Sequence, residues 1–124
     1  MRKSDPRMYL YEAAEACDCI LQFTKGKSRG NYLSDDPLQS AVERQMTVLG
    51  EALRQTVLCD LSLRQSVTDC DGISEMAAQL VELYDSVDAE AVFTAVESSV
   101  PPLRADLAGL LGDDDPAAGP AAEH

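Results

Sequence analysis

Residues 73–88 read Ile73-Ser74-Glu75-Met76-Ala77-Ala78-Gln79-Leu80-Val81-Glu82-Leu83-Tyr84-Asp85-Ser86-Val87-Asp88. Within them Ile73, Met76, Ala77, Leu80, Val81, Tyr84 and Val87 recur at steps of three and four. That is the spacing of one face of an α-helix and not the alternation of a strand. It predicts a helix over about 73–86 with its apolar stripe against a core. Asp88 follows as a side-chain acceptor for the free amides of a further helix, in which Ala91, Val92, Ala95 and Val96 face inward.

The same periodicity extends in both directions. Leu10, Ala13, Ala14, Cys17, Ile20 and Leu21 predict a first helix over Pro6–Thr24, broken by Lys25-Gly26-Lys27-Ser28-Arg29-Gly30. This basic stretch reads either as a solvated turn or as a contact for a phosphate or an acidic surface. A second helix starts at Asp36 as cap, with Pro37 in its first turn and Gln39 completing a capping box, and runs to Cys59. Its packed face is Leu38, Ala41, Val42, Val48, Leu49, Ala52 and Leu53. Gly50 in its interior costs about 1 kcal/mol relative to Ala, which predicts the close approach of another helix. The polar residues of 61–72 suit a loop or a short helical turn. Pro101-Pro102 opens a last helix carrying Leu103, Leu107, Leu110 and Leu111, stopped by Gly112. From Asp113 on there is no large apolar residue, so residues 113–124 read as a disordered acidic Ala/Pro-rich tail beside a domain of residues 1–112.

Composition narrows the class. With 124 residues, 45% hydrophobic but only 5% aromatic, the chain suits one helix-packed domain. No stretch reaches the roughly 18 apolar residues of a membrane span, and no apolar segment follows the charged start, so a cytoplasmic protein without a membrane anchor is expected. The net charge of −12 disfavours nucleic acid, whose phosphates call for Lys and Arg, and favours a basic protein partner. Cys17, Cys19, Cys59 and Cys70 lack Cys-x-x-Cys spacing and a nearby His, so they read as small thiols in a reducing compartment; neither a metal nor a cofactor is expected.

The order of these segments resembles the HepT-like HEPN family, toxin components of prokaryotic toxin–antitoxin pairs. The likeness covers roughly 5–111 and rests on several stretches. They are Arg7-Met8-Tyr9-Leu10, Ala41-Val42-Glu43-Arg44 with Val48-Leu49-Gly50-Glu51-Ala52-Leu53, the 73–88 helix, Val87-Asp88 with Ala91-Val92-Phe93, and Val100-Pro101-Pro102-Leu103. The resemblance implies an all-α, up-and-down bundle of four to five helices, paired into a two-fold homodimer whose signature helices line a shared cleft. Active members are metal-independent endoribonucleases. Their signature helix carries an arginine, four spacers, a histidine, one residue and a tyrosine.

On this sequence the pattern places Ala77 at the arginine, Glu82 at the histidine and Tyr84 at the tyrosine. The family's reaction needs a group that gives and takes protons near neutrality and a planar cation for the phosphate. Ala77 supplies neither, Glu82 offers at best a carboxylate base, and the single histidine is His124. The expectation is therefore a catalytically degenerate member that serves as a binding module for a nucleotidyltransferase (MNT-type) antitoxin. Two rivals stand beside it: an active endoribonuclease with atypical residues, and a structural or regulatory helical dimer outside toxin–antitoxin function. The resemblance makes Tyr84 an AMP acceptor for that antitoxin; its plainer reading is a core or interface tyrosine. It also turns Glu51 toward the cleft, against a solvent-facing residue paired with Arg54 or Arg44, and leaves Arg44 as the candidate phosphate contact.

Overall fold

The computed structural model describes residues 5–83 and 87–118. Among them are six α-helices and no strand: α1 (Pro6–Thr24), α2 (Arg29–Leu33), α3 (Asp36–Cys59), α4 (Cys70–Glu82), α5 (Ala89–Ser98) and α6 (Val100–Leu111). Helix α1 lies against α3 and α6, α3 against α4, and α5 against α6 and α2. The all-α bundle inferred from periodicity is therefore observed, with one short helix added to five long ones.

The helix ends follow local chemistry. The Asp5 carboxylate accepts from the Arg7 amide at 2.9 Å to start α1. Ser28 and Asn31 form a reciprocal capping box, 3.0 and 2.9 Å, that starts α2 inside the stretch expected to be only a break. The α3 cap is Asp35 and not Asp36: its carboxylate accepts from the Leu38 amide at 3.0 Å. Gln39 does not close a capping box. Its amide donates to the carbonyls of Tyr32 and Leu33, at 3.0 and 3.2 Å, and so ties α2 to α3. Asp88 caps α5 through the Glu90 amide at 3.0 Å, as the sequence predicts.

Helix α4 begins three residues earlier than the periodicity suggests and ends at Glu82, while Leu61–Ser66 forms a 3-10 turn. Asp69, at the α4 start, has φ of 53°, a left-handed conformation that Asp tolerates better than most residues. A Cβ on Gly72 would sit 2.2 Å from the Asp69 carboxylate, which explains the glycine in that first turn. The Asp69 carboxylate accepts from the Ser99 hydroxyl at 2.8 Å, and Asp106 accepts from the Thr68 amide and hydroxyl at 2.8 and 2.6 Å. The entry to α4 is thereby fixed to the α5–α6 junction.

The core is aliphatic: Leu10, Ala13, Ala14, Cys17 and Ile20 of α1 meet Val42, Met46, Leu49 and Leu53 of α3 and Val100, Leu103, Leu107 and Leu111 of α6. Three expected core positions face outward instead. Val48 is 41% and Val81 63% exposed, and Ala91 is exposed as well. On α3 the buried line runs 42, 46, 49, 53, and Val48 lies about 100° round the helix from Leu49. On α4 the line is Cys70, Ile73, Ala77, Leu80, which leaves Val81 on the solvent side. On α5, Phe93 takes the inward place.

The start of the acidic tail is ordered against the bundle. Gly112–Asp114 and Pro116–Ala118 form two 3-10 turns. Arg7 pairs with Asp114, and Arg104 bridges Asp18 at 2.8 Å and Asp115 at 2.6 Å. The Arg104 and Asp115 side chains are only 11% and 12% exposed. Hydrogen bonds from Arg104 hold the Asp115 carboxyl below its usual range. The remaining tail lies outside the described residues.

Candidate functional site on α4

Helix α4 follows α3 through a short connection and runs back along it. Gly50 is the point of closest approach: a Cβ there would meet the Ala77 Cβ at 2.2 Å and the Ile73 carbonyl at 3.1 Å. The close crossing that the mid-helix glycine predicts is therefore present, and Ala77 is its other half. Ala77 is only 5% exposed. It packs the crossing and offers no group to a ligand.

Glu82 is the last residue of α4, exposed, and makes no hydrogen bond or ion pair among the described residues. The stretch of sequence around it is anionic. Between Arg64 and Arg104 the sequence holds eight Asp and Glu and no Lys or Arg. A phosphate brought to this face meets no neutralising side chain of α4 or α5. Tyr84 and His124 lie outside the described residues.

The other two sequence candidates do not converge on Glu82. The Glu51 carboxylate accepts from Arg54 at 2.8 and 3.1 Å and from Gln55 at 3.0 Å, and these bonds from Arg54 lower its pKa. Of its two suggested partners, Arg54 is the one in contact. Glu51 also lines a cavity with Tyr9, Glu12 and Val48, on the α1 side of α3 and away from the Ala77 crossing. Arg44 is exposed and without an ion pair among the described residues; it lies two helical turns before Glu51, about 10 Å along the axis.

The basic turn after α1 is divided in use. Arg29 bonds Glu97 and Thr94, each at 3.2 Å, and stands over the Phe93 ring at 5.3 Å. Lys25 and Lys27 line an open cavity of about 600 Å³ that also contains Asp35 and Asp36, so their charge is locally offset. Beneath this turn is a feature sequence reading missed. Tyr32 is fully buried and stacks on Phe93 with centroids 5.1 Å apart, and its hydroxyl has no hydrogen-bond partner among the described residues. Burial, with Glu43 nearby, raises the hydroxyl's pKa. The Ser28-x-x-Asn31 box was the signal that could have placed this helix.

The cysteines are free thiols; Cys17 and Cys70 are buried, and burial pushes Cys17 up to about 12. Among the described residues no three His, Cys, Asp or Glu side chains converge as metal ligands, and no helix is long and apolar enough to cross a membrane.

Comparison with known proteins gives a consistent family. The chain is 24% identical over 113 residues to "Putative RNase MJ1216" of Methanocaldococcus jannaschii, covering 91% of this chain and 93% of that protein. It is 26% identical over 102 residues to "Probable ribonuclease HepT" of Thermococcus cleftensis, covering 82% and 92%. A third relative, "Gamma-glutamylcyclotransferase and putative RNase MJ0434" of M. jannaschii, is 25% identical over 115 residues; 93% of this chain spans 51%, about half, of that longer protein. No solved structure matches. The profile of the family described as "Ribonuclease HepT-like" matches residues 13–108, from within α1 to within α6. A match over that much of the bundle shows that the chain belongs to the HepT-like ribonuclease family.

Proposed function

We propose that this HepT-like chain is catalytically degenerate and acts as an interaction module in a toxin–antitoxin type system, with a nucleotidyltransferase as its partner. One observation carries the reading: Ala77 and Glu82, where the resemblance sets the family's arginine and histidine, are respectively sealed into the α3–α4 crossing and exposed at the end of α4. Cleavage by a neighbouring 2′-hydroxyl requires removal of its proton, protonation of the leaving 5′-oxygen and balance of charge on the phosphate. A carboxylate repels the phosphate that a histidine and an arginine would attract. Nothing else on α4 supplies the missing charge. Pairing into a two-fold dimer and AMP addition to Tyr84 belong to this proposal as family expectations.

A second reading, a working ribonuclease that uses Glu82 as base, draws support from the ribonuclease names of the relatives. The two part in one experiment. Under the first reading the purified chain leaves RNA intact with or without chelator. Under the second it cleaves RNA, and Glu82→Ala abolishes the cleavage. Tyr84 is tested separately by intact mass after incubation with ATP and the nucleotidyltransferase. An added AMP mass that Tyr84→Phe removes supports the partnership, and an unchanged mass counts against it.

A further inference from the structure

Along one side of the bundle, α1 and α3 leave a groove with an apolar floor and an acidic rim. Two adjoining cavities of about 440 and 420 Å³ form it and share Glu12 and Val48, and a third of about 550 Å³, between α1 and the C-terminal turn, borders them at Glu12. Val48 is 41% exposed in the groove, and Met8, 61% exposed, lies in the bordering cavity. Glu12 and Glu15 stand on the rim, and neither has an ion pair or hydrogen bond among the described residues. The three nearby arginines are already committed: Arg7 to Asp114, Arg54 to Glu51, and Arg104 to Asp18 and Asp115. Among the described residues, no side chain neutralises this rim.

We infer that the α1–α3 groove docks a basic amphipathic helix of another protein, its apolar residues on Val48 and its Lys or Arg side chains on Glu12 and Glu15. A furrow between two antiparallel helices accommodates a third helix, anchored at three- and four-residue steps. Charge selects the occupant. RNA is repelled by the same carboxylates. A two-fold contact with a second copy sets one acidic rim against another, because the interface is self-complementary. The cations without an ion partner among the described residues, Lys25, Lys27 and Arg44, do not line the groove. The inference rests on the groove and not on the proposed loss of catalysis, so either can fail without the other.

The test titrates the full isotope-labelled chain with a helical peptide of leucine and lysine, and with a leucine–glutamate counterpart. The lysine peptide is expected to move amide signals of residues 8–16 and 45–52 and to weaken with added salt. Glu12→Lys with Glu15→Lys, or Val48→Asp alone, should each raise its Kd roughly tenfold. Glu75→Lys with Asp36→Lys makes the same charge change away from the groove and should leave Kd within about twofold. The inference is overturned by an equal loss in that control pair, by signals moving over the whole surface, or by equal binding of the glutamate peptide. It is also overturned if light scattering shows a homodimer that Val48→Asp splits.

Discussion

Tyr32 and Gly50 show how single residues shape this bundle. The Tyr32 ring has an aromatic partner in Phe93, but its buried hydroxyl has no hydrogen-bond partner among the described residues. A buried unsatisfied hydroxyl costs about 1–3 kcal/mol, whereas the ring alone would be comfortable there. Tyr32→Phe should therefore hold or raise stability, by up to about 1 kcal/mol in urea unfolding; a clear loss would show that the hydroxyl has a partner. Gly50 shows the opposite economy. Gly50→Ala gains about 1 kcal/mol of helix propensity, but the new methyl overlaps Ala77, and overpacking of this kind costs about 1–3 kcal/mol. The second effect should dominate, and Ala77→Gly should restore part of the loss in a double-mutant cycle. Thiol reactivity divides in the same local way: Cys19 and Cys59, half-buried, should alkylate before Cys17 and Cys70, as peptide mapping would show.

Among the elements, the C-terminal turns carry a pH dependence of their own. Asp115 is held below its usual range by Arg104, and this contribution is present above the unfolded carboxylate pKa, about 3.9. It is lost as pH falls through that value toward the depressed folded one. Acidification should thus release residues 112–118 from α1 and α6 before the bundle melts, seen as faster proteolysis of the C-terminus. Asp115→Asn should show the same release at neutral pH. Equal protection in the variant would contradict the clasp. The long helices were legible because apolar periodicity and capping residues agree over many turns, as at Pro6–Thr24 and Asp88. The short α2 was not, because five residues carry no period and its glycine and cations read as a break. Val48, Val81 and Ala91 were misplaced for a related reason: a helix with two neighbours has two buried lines, and spacing alone does not say where they stop. The ordered turns after Gly112 depend on Arg7 and Arg104, both remote in sequence.

At the scale of the whole molecule, the fold is that of the family, and the proposed loss of its chemistry rests on α4. The apolar stripe on 73–88 identifies the helix, and the family frame proposes Ala77 and Glu82 as its two substituted positions. What sequence could not supply was their setting: Ala77 sealed against Gly50, and Glu51 turned toward α1 and bound to Arg54. The acidic balance of −12 then leaves α4 without phosphate-binding charge. The direct test is RNA cleavage by the full chain beside the variant carrying Ala77→Arg and Glu82→His, with circular dichroism to establish that both are folded. An arginine at 77 has to lead its guanidinium out of the α3–α4 crossing, so the folding control is essential. The natural chain is expected to show no metal-independent cleavage, and the folded double variant measurable cleavage. Cleavage by the natural chain that disappears in Glu82→Ala would contradict the proposed loss of catalysis.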